Sequence, residues 1–497
     1  MTESLWASTV RRPTYPRLER NGLHVDVAVV GGGITGMTAA ILLKLAGKQV
    51  AVIEARHIGS GVTGGTTAHI TEIIDTRYHV LETKFGREGA TLAAKSSREA
   101  IEQIATLDAR LALSSDFERL PGYLYTEKDD QVEELKRELD AARRSGLNAE
   151  LAHVPLPIVT KAGIRFDDQA QFHPLRYVSG LAERVVGDGC HVFEESRVFT
   201  VDEGEPCRLH LENGVTVSAD RVILATHAPI NRVLLQTKVA HYRSYVVSGR
   251  VEQAAHGLFW DTEDPYHYIR TYRSGDETRL IVGGEDHKTG HEEDTETPFE
   301  RLTRYADRVG LHVVENRWSA QVIEPVDALP FIGRNAASEK VYVATGYSGN
   351  GMTFGTLAGM ILKDACLDAD NPYAELYAAT RMKPLASLGT FIGENVDFPL
   401  HLLSDALRPP NAKSLGEIAP GDGKIVRVKG ERLAVYRDDH GRLHALSPVC
   451  THLGCHVSFN NAEKTWDCPC HGSRFTVDGD VLDGPAVKPL GARNVVE

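Results

Sequence analysis

Two cysteine and histidine boxes near the C-terminus constrain this 497-residue chain more than any other feature. The first box is Cys450-Thr451-His452-Leu453-Gly454-Cys455, and the second is Cys468-Pro469-Cys470-His471-Gly472-Ser473. Each box contains a cysteine and a histidine separated by only one or two residues. Two thiolates and two neutral imidazoles can hold a [2Fe–2S] cluster with mixed ligands or a tetrahedral zinc ion. The boxes therefore predict a metal centre in the C-terminal part of the chain.

The remaining residues of the two boxes favour the cluster over zinc. A zinc site leaves the second cysteine of each box, both glycines and Ser473 without a role. The pattern resembles the Rieske family, and residues 412–497 fit that resemblance. The resemblance implies that cysteines bind one iron and histidines bind the other. The four ligands that it implies are Cys450, Cys468, His452 and His471.

The Rieske resemblance carries three further implications. Cys455 and Cys470 match a pair that forms a disulfide between the cluster loops, and Ser473 matches a donor to a cluster sulfide. The segment 483–486, Asp-Gly-Pro-Ala, resembles the proline loop that covers the cluster. Phe475 stands where high-potential members carry a tyrosine, so one hydroxyl donor is missing. We therefore expect a lower potential than that of quinol-oxidising members.

A second motif lies near the N-terminus. The apolar run 25–30 ends in Gly31-Gly32-Gly33-Ile34-Thr35-Gly36, and a helical pattern follows over 37–46. The next apolar run, 49–53, ends at the acidic residue Glu54. Strand, glycine-rich turn, helix, strand and acid together form the dinucleotide-binding fingerprint in its required context.

Each residue of the fingerprint has a separate physical role. Gly31 is expected to make the tight turn, Gly33 to let the backbone approach a pyrophosphate, and Gly36 to allow close packing of helix on sheet. The free N–H groups at the helix N-terminus favour that pyrophosphate. Glu54 is expected to bind the adenosine ribose hydroxyls.

The fingerprint alone does not choose between FAD and NAD. Three later stretches do so by their similarity to the D-amino-acid-oxidase-like flavoprotein superfamily: the Gly/Thr-rich loop 58–69, the strand 220–226, and the strand and glycine-dense turn 341–353. The resemblance covers residues 24–368 and implies an extended FAD. The residues assigned to FAD are Gly31, Gly33, Ile34, Thr35, Gly36, Glu54, Ala55, Thr66, Thr67, His69, Val198, Ala225, Thr226, Gly346, Gly349, Asn350, Gly351, Met352 and Thr353.

Two of these assignments concern the flavin ring. A helix from about Thr353 to Cys366 would direct its N-terminal dipole at the pyrimidine edge of the isoalloxazine, where negative charge gathers on reduction. His69 is expected close to the ring. A lone histidine there is expected to hydrogen-bond or to pack, because covalent attachment occurs only in some relatives.

Alternating segments over 239–284 predict an antiparallel sheet. In the flavoprotein superfamily this sheet covers the substrate. The residues that we nominate as facing the substrate pocket are Arg243, Tyr245, Tyr268, Arg270 and Gln321.

The predicted fold class is an α/β Rossmann-like FAD-binding domain with an antiparallel-sheet substrate domain, followed by an all-β Rieske domain. Residues 1–24 read as an extended lead-in, and 25–367 as the flavoprotein domain with insertions at about 90–190 and 239–320. A connecting segment, 368–412, contains helical patterns such as 387–407 and a hinge at 408–411. The Rieske domain is expected over 413–497.

Charge and hydropathy argue against nucleic-acid binding and against a membrane-spanning segment. A net charge of −13 without a Lys/Arg cluster argues against nucleic acid. No apolar run approaches the roughly 18 to 20 residues of a membrane span, and Arg11-Arg12 is followed by prolines rather than an apolar signal region. We expect a cytoplasmic protein. Cys190, Cys207 and Cys366 are scattered singly and predict buried structural thiols.

Together the two centres predict a converter from two-electron to one-electron chemistry. The lead hypothesis is an FAD-dependent dehydrogenase that oxidises a small amine or amino acid. It would pass electrons singly to its own Rieske cluster and then to an external protein or quinone. Two alternatives stay open: an electron-transfer reductase without an organic substrate, and an oxidase with a regulatory Rieske domain. An oxygenase would need a mononuclear iron site, for which Asp438, His440 and His444 are the only nearby residues.

Overall fold

The first sheet forms around the predicted fingerprint. The computed structural model describes residues 3–230, 233–381, 412 and 414–494. Neighbouring strands of this sheet are parallel except for the first pair, and their spatial order is Phe331–Arg334, Val341–Thr345, Thr216–Leu224, His24–Val30, Val50–Ile53 and His191–Phe193. Two antiparallel strands, Cys207–Leu211 and Val198–Asp202, extend it beside Thr216–Leu224.

Strand His24–Val30 lies inside this sheet, and its last four residues, Val27 to Val30, are all apolar and buried. Val27 and Val29 pack into the core on one face. Ala28 and Val30 pack into a separate core on the other face. A parallel strand that is covered on both faces cannot alternate between apolar and polar residues.

The second, large mixed sheet contains nine strands within the described residues. One pair, Leu258–Asp261 with Glu118–Thr126, is parallel, and the other pairs are antiparallel. The spatial order is Asn316–Pro325, Val239–Arg250, Glu277–Lys288, His267–Ser274, Leu258–Asp261, Glu118–Thr126, Ala162–Gln171 and His69–Ile70, and Ala149–Leu151 pairs beside Ala162–Gln171. The predicted antiparallel substrate sheet is thus mainly correct, with one parallel exception.

The helices lie between and around these sheets. The α-helices of the described chain are Leu5–Thr9, Ile34–Leu45, Val62–Gly65, Tyr78–Leu111, Val132–Arg144, Pro174–Val185, Val233–Gln236, Glu296–Arg308, Gly351–Cys366 and Ala374–Tyr377, with short 3-10 turns at Asp129–Gln131 and Leu415–Glu417. The predicted helix after the glycine-dense turn begins two residues early, at Gly351. In the described residues no helix is long and apolar enough to cross a bilayer.

The C-terminal unit is built from two small antiparallel sheets. The first contains Gly423–Val428, Glu431–Arg437 and Leu443–Leu446. The second contains Ser458–Asn460, Thr465–Asp467, Arg474–Thr476 and Val481–Asp483. The all-β prediction for this part is confirmed.

Two local predictions were wrong. The charged, Ala/Leu-rich pattern over 92–145 predicts long surface helices interrupted around Pro121-Gly122. The structure instead contains a full strand, Glu118–Thr126, between two helices. The extended lead-in includes a helix, Leu5–Thr9, whose Trp6 is fully buried and donates a hydrogen bond to the Thr66 carbonyl at 2.5 Å. Tertiary packing of one large aromatic residue holds this segment in place.

The domain boundaries stay predictions. Residues 368–381 continue from the flavoprotein part, and Arg381 forms a hydrogen-bonded ion pair with Asp327. The helical pattern 387–407 and the hinge 408–411 lie outside the described residues. Cys190, Cys207 and Cys366 are buried and unbridged, as predicted.

Candidate functional site

One large cavity follows the edge of the first sheet and continues beneath the mixed sheet. Most residues assigned to FAD line it: Gly31, Gly33, Ile34, Thr35, Glu54, Ala55, Thr66, Thr67, His69, Val198, Ala225, Thr226, Gly349, Asn350, Gly351 and Met352. They come from strand ends, two helix N-termini and the loop 58–69. These regions are distant in sequence but meet at the carboxyl edge of parallel strands, where nucleotide sites form in open α/β sheets.

The fingerprint turn depends on two close backbone contacts. A Cβ at Gly31 would lie 2.4 Å from the Ala225 carbonyl oxygen, and Gly31 has φ of 108°. A Cβ at Gly36 would lie 2.0 Å from the Gly31 carbonyl oxygen. Gly36 therefore lets the Ile34–Leu45 helix pack closely against the glycine-rich turn. It does not line the cavity, which agrees with the packing role predicted for it. The Ile34–Leu45 helix begins after Gly33, which offers no side chain to cap it. Thr63 Oγ1 accepts from Ile34 N at 3.1 Å. The turn lines the cavity, where the helix N-terminus favours an anion.

Glu54 is held by backbone donors at the end of its strand. Its Oε2 accepts from Gly32 N at 2.7 Å, and its Oε1 accepts from Arg56 N at 2.8 Å. The carboxylate lines the cavity. Each oxygen keeps further lone-pair capacity, so the group fits the predicted ribose contact.

The second helix N-terminus is positioned by an acid on another loop. Asp75 Oδ2 accepts a hydrogen bond from Gly349 N, and the Asp75 amide donates to Asn350 Oδ1 at 3.0 Å. A Cβ at Gly351 would meet no atom within 4 Å, so the cavity is open beside the first residue of the helix. This open space beside free helix N–H groups fits the electron-rich edge of a flavin.

His69 is neutral and has partners for both ring nitrogens. Nδ1 lies 2.9 Å from Thr67 Oγ1, and Nε2 lies 3.2 Å from the Ile269 carbonyl oxygen. Burial and then the nearby Arg270 lower the pKa of His69 to about 3. Both nitrogens are engaged, which agrees with the expected hydrogen-bonding role.

Two other residues assigned to FAD lie outside the cavity lining. Gly346 turns the chain with φ of 79°, and its Cβ would face Pro325. Thr353 is buried, and its hydroxyl bonds both the amide and the carbonyl of Thr71 at 3.0 Å. Thr353 therefore does not line the cavity. It stabilises the loop at Thr71, which does.

Three of the five nominated pocket residues do not line the cavity. Arg243 points to the C-terminal unit, where it binds Glu463. Tyr245 packs on Phe299 and hydrogen-bonds His287. These two residues share one face of their strand because they are two positions apart.

Arg270 is the third residue that lies elsewhere. Its guanidinium is buried and donates to the carbonyl oxygens of Thr67 and Ala68 at 2.8 Å, behind the cavity wall. Tyr268 and Gln321 do line the cavity, as predicted. The Tyr268 hydroxyl lies 2.7 Å from Ser244 Oγ.

Several lining residues were not predicted from the sequence. The most informative are Asp75, Arg197, His227, Ser244, Trp260, Tyr266, Tyr347 and a C-terminal group of Leu482, Asp483, Gly484, Ala486 and Val487. Their positions depend on which strands pair and on how the two parts of the chain dock. Among these residues, only Ser244 could have been predicted from the sequence. It lies between Arg243 and Tyr245, so on a strand its side chain faces the opposite side from theirs.

The two cysteine and histidine boxes come together in the C-terminal unit. Cys450 and Cys468 are buried and unbridged, and their sulfurs lie within hydrogen-bonding reach. The rings of His452 and His471 have centroids 5.0 Å apart. His452 Nδ1 is buried without a hydrogen-bond partner. Two neighbouring thiols and two neighbouring imidazoles, one of which has an unpartnered nitrogen, fit the donor set of a [2Fe–2S] cluster.

The predicted disulfide between Cys455 and Cys470 is present. The Cys468 sulfur lies within 4.8 Å of both bridge sulfurs, so the bridge borders the cluster site. Ser473 Oγ hydrogen-bonds the Cys450 sulfur and accepts from Ala486 N at 3.0 Å. Ser473 thus ties a cluster ligand to the proline loop 483–486, which itself lines the large cavity.

The remaining potential iron ligands are paired differently. His444 lies 2.7 Å from Asp478 and 3.3 Å from Asp438. Asp438 also accepts from the His440 backbone at 3.0 Å. These contacts show that Asp438, His440 and His444 stabilise a turn within the Rieske unit. They do not favour the oxygenase alternative.

A buried charge network joins the C-terminal unit to the mixed sheet. Arg474 contacts Asp467, Glu463 and Asp483 at 3.0, 2.6 and 3.2 Å. Arg243 crosses from the mixed sheet to bind Glu463 and lies 3.9 Å from Asp483. Burial raises the pKa of Glu463, but the two guanidiniums outweigh it and hold that pKa below its usual value. Glu463 is therefore an ionised member of this network at neutral pH.

Comparison with known proteins identifies both parts. Residues 26–365 match the family described as FAD dependent oxidoreductase, or DAO. The chain belongs to this family. Residues 411–494 match the Rieske [2Fe-2S] domain. This DAO-family oxidoreductase therefore binds FAD in its first part and a [2Fe–2S] cluster in its second part, which confirms both predicted cofactors.

Relatives match the DAO-family oxidoreductase over different lengths. A Bacillus subtilis protein named as the Rieske 2Fe-2S iron-sulfur protein YhfW is 32% identical over 494 residues, 98% of this chain and 97% of that protein. The gamma-glutamylputrescine oxidoreductase of Escherichia coli is 24% identical over 381 residues, 73% of this chain and 88% of that protein. Glycine oxidase from Geobacillus kaustophilus has the same fold, with a TM-score of 0.63, 19% identity and coverage of 73% of this chain and 100% of that chain.

Proposed function

We propose that this oxidoreductase oxidises a small amine or amino acid at FAD and passes the electrons singly to its own Rieske cluster and then to an external protein or quinone. The observation that carries the proposal is one hydrogen bond. Gln321 lines the FAD cavity, and its Nε2 donates to the Gly472 carbonyl oxygen at 2.7 Å. Gly472 directly follows the cluster ligand His471. A short bonded route thus leads from the cavity wall to the cluster.

Packing around Gly472 supports a fixed contact. A Cβ at Gly472 would lie 2.5 Å from Gln321 Nε2 and 2.6 Å from His241 Cβ. The cluster-bearing loop therefore approaches the wall as closely as a glycine permits. The proline loop 483–486 supplies a second contact, because it borders the cluster site through Ser473 and the cavity through its own residues.

We assign the cofactor sites to the predicted residues that meet there. The sixteen assigned residues lining the cavity would hold FAD, and Cys450, Cys468, His452 and His471 would hold the cluster. Bound FAD accepts a hydride from the carbon beside an amine nitrogen and can release electrons one at a time. Oxidising R–CH2–NH3+ to R–CH=NH2+ releases two electrons and two protons. The cluster must therefore be reduced and reoxidised twice for each substrate.

The relatives support the amine or amino-acid chemistry. The names gamma-glutamylputrescine oxidoreductase and glycine oxidase describe enzymes that act on compounds with an amine nitrogen. The relative YhfW, which aligns over 97% of its own length, is named as a Rieske 2Fe-2S protein. The whole chain has a net charge of −13, which suits a basic protein acceptor, whereas a quinone acceptor requires no such charge.

Substitution of Gln321 by Met tests the electron route. The change removes the donor and leaves the buried Gly472 carbonyl unpaired, at a cost of about 1–3 kcal/mol to the contact. After anaerobic photoreduction of the flavin, we expect slower appearance of the reduced cluster by EPR, with flavin photoreduction unchanged. The matched control is Arg317→Met on the same strand, because Arg317 binds Glu296 away from the cavity. Equal rates in Gln321→Met and in the unmodified protein would contradict the route.

A further inference from the structure

The proline loop of the Rieske unit closes one side of the FAD cavity. The loop 483–486 and its two neighbours supply the lining residues Leu482, Asp483, Gly484, Ala486 and Val487. A Cβ at Gly484 would lie 3.7 Å from the carbonyl oxygen of Ala228, which also lines the cavity. The cavity wall is therefore built from both parts of the chain.

Two arginines of the flavoprotein part contact this loop at the Glu54 end of the cavity. Arg197 Nη2 donates to the Val481 carbonyl oxygen at 3.1 Å, and Arg56 lies 4.0 Å from Asp483. Both arginines line the cavity, and Glu54 is an electrostatic neighbour of Arg197. Because Glu54 is assigned to the adenosine ribose, the loop is expected beside the adenosine half of FAD.

The end of the loop joins two hydrophobic cores. Ala486 is buried in the core of the Rieske unit, whereas the next residue, Val487, packs against a core of the first sheet. Asp483 adds an ionic contact. Burial raises the pKa of Asp483, but the surrounding arginines, of which Arg474 has the largest effect, outweigh burial and lower that pKa to about 2. Moving the loop would expose apolar surface and separate charges.

The position of the loop also depends on the cluster boxes. Ser473 Oγ accepts from Ala486 N at 3.0 Å and hydrogen-bonds the Cys450 sulfur. Cys450 belongs to the first box and Ser473 to the second, so metal bonds that join the boxes also fix the anchor of the loop. Metal binding orders the segments that carry its ligands. Loss of the cluster should therefore loosen the cavity wall.

We propose that the proline loop, together with Val487, forms the wall of the FAD site beside the adenosine half, and that FAD and the [2Fe–2S] cluster thereby increase each other's affinity. Such a coupling is reciprocal, because each ligand stabilises the loop position that the other requires. The inference goes beyond the proposed function, since it concerns cofactor binding and holds for any substrate.

The first test compares FAD binding by the full chain with and without its cluster. The protein is stripped of FAD, and one portion is freed of iron with a chelator under anaerobic conditions. Binding is read from the quenching of FAD fluorescence. We expect the cluster-loaded protein to bind FAD at least about fivefold more tightly. Rebuilding the cluster with iron and sulfide should restore that affinity.

The converse measurement follows the cluster. FAD should slow the loss of iron to a chelator, because it holds the loop that anchors Ser473. Without a chelator the cluster site stays filled, so the iron content of the purified protein should not change.

One pair of variants tests the wall itself. Val487→Ala removes apolar contact with the first-sheet core and should weaken FAD binding by about threefold or more in the cluster-loaded protein. The matched control is Val428→Ala, because Val428 is also partly buried but packs within the Rieske unit. The control should leave the FAD affinity unchanged.

A second pair tests the link to the cluster. Ser473→Ala removes the acceptor for the buried Ala486 amide without altering a cavity-lining residue. At equal cluster content, it should shrink the ratio of FAD affinities between cluster-loaded and cluster-free protein. The matched control is Ser447→Ala, because the Ser447 hydroxyl accepts from the exposed Val449 amide rather than from the loop.

Four results would overturn the inference: equal FAD affinity with and without the cluster, a rebuilt cluster that does not restore the affinity, equal affinities in Val487→Ala and Val428→Ala, or an unchanged affinity ratio in Ser473→Ala. Because these measurements involve no electron transfer, they are independent of the proposed function. Failure of the proposed function would instead appear as a cluster that stays oxidised after flavin photoreduction.

Discussion

Replacing Arg243 by Ala should detach the Rieske unit from the flavoprotein part. The change leaves Glu463 and Asp467 buried with Arg474 as their close cation, while Asp483 keeps Arg474 and, at 4.0 Å, Arg56. Removing one member of a buried ionic network costs about 3–5 kcal/mol, because the remaining charge stays buried without compensation. We expect earlier loss of the cluster's visible absorption in a urea titration, together with faster amide exchange along the docking face.

The control for this variant lies on the same strand. Arg250 reaches Glu277 and Glu315 at 3.5 Å, and its side chain is 61% exposed. Arg250→Ala should change stability by no more than about 1 kcal/mol. A double variant, Arg243→Met with Glu463→Gln, should recover part of the loss, because it removes one buried charge of each sign. Equal losses in Arg243→Ala and Arg250→Ala would contradict a docking role for the network.

Replacing Gly36 by Val should abolish FAD binding. The new Cβ would lie 2.0 Å from the Gly31 carbonyl oxygen. The helix backbone fixes the position of this Cβ, and the oxygen is itself a backbone atom, so neither can rotate away. The helix and the fingerprint turn must separate, which misplaces the N–H groups at Gly33 that face the cavity. The flavin-to-protein ratio after purification, measured by absorption, is expected to fall from near one to near zero.

The matched substitution is Leu45→Val at the other end of the same helix. Leu45 is 43% exposed and lies away from the turn. This variant should keep its FAD, so loss of FAD in both variants would point to general weakening of the helix. Cluster content, read by iron analysis, should be unchanged in both variants.

Local patterns predicted the chemistry of this protein well. The fingerprint strand, turn and helix form within about thirty residues, so their geometry depends on neighbours in sequence. The geometry of the two cysteine and histidine boxes is also local, because the short spacing within each box brings its cysteine close to its histidine. The pairing of Cys455 with Cys470 came from resemblance, and the structure confirms it.

Side-chain direction in the mixed sheet was harder to predict. Arg243 and Tyr245 face away from the cavity, while Ser244 between them faces it. A shift of one residue reverses every side chain of a strand, and the sequence does not reveal the register. The bulge opposite Ser244, where the register shifts between Arg243 and Tyr245, depends on the same pairing.

Contacts between the two parts of the chain could not be predicted at all. The sequence places the proline loop in the Rieske unit, but it does not show that Asp483 and Ala486 also line the FAD cavity. Trp6 is a similar case, because its burial beneath the loop 58–69 depends on docking of the N-terminal segment. Such contacts join residues hundreds of positions apart, and no local pattern records them.

The most direct test of the central claim is an anaerobic titration of the FAD- and cluster-loaded protein with a panel of primary and secondary amines and amino acids. Flavin absorption and low-temperature EPR are recorded on the same samples. The account predicts that an amine bleaches the flavin and that the EPR signal of a reduced Rieske cluster then appears without added reductant. A flavin that is bleached by substrate while the cluster stays oxidised would contradict electron transfer between the two centres.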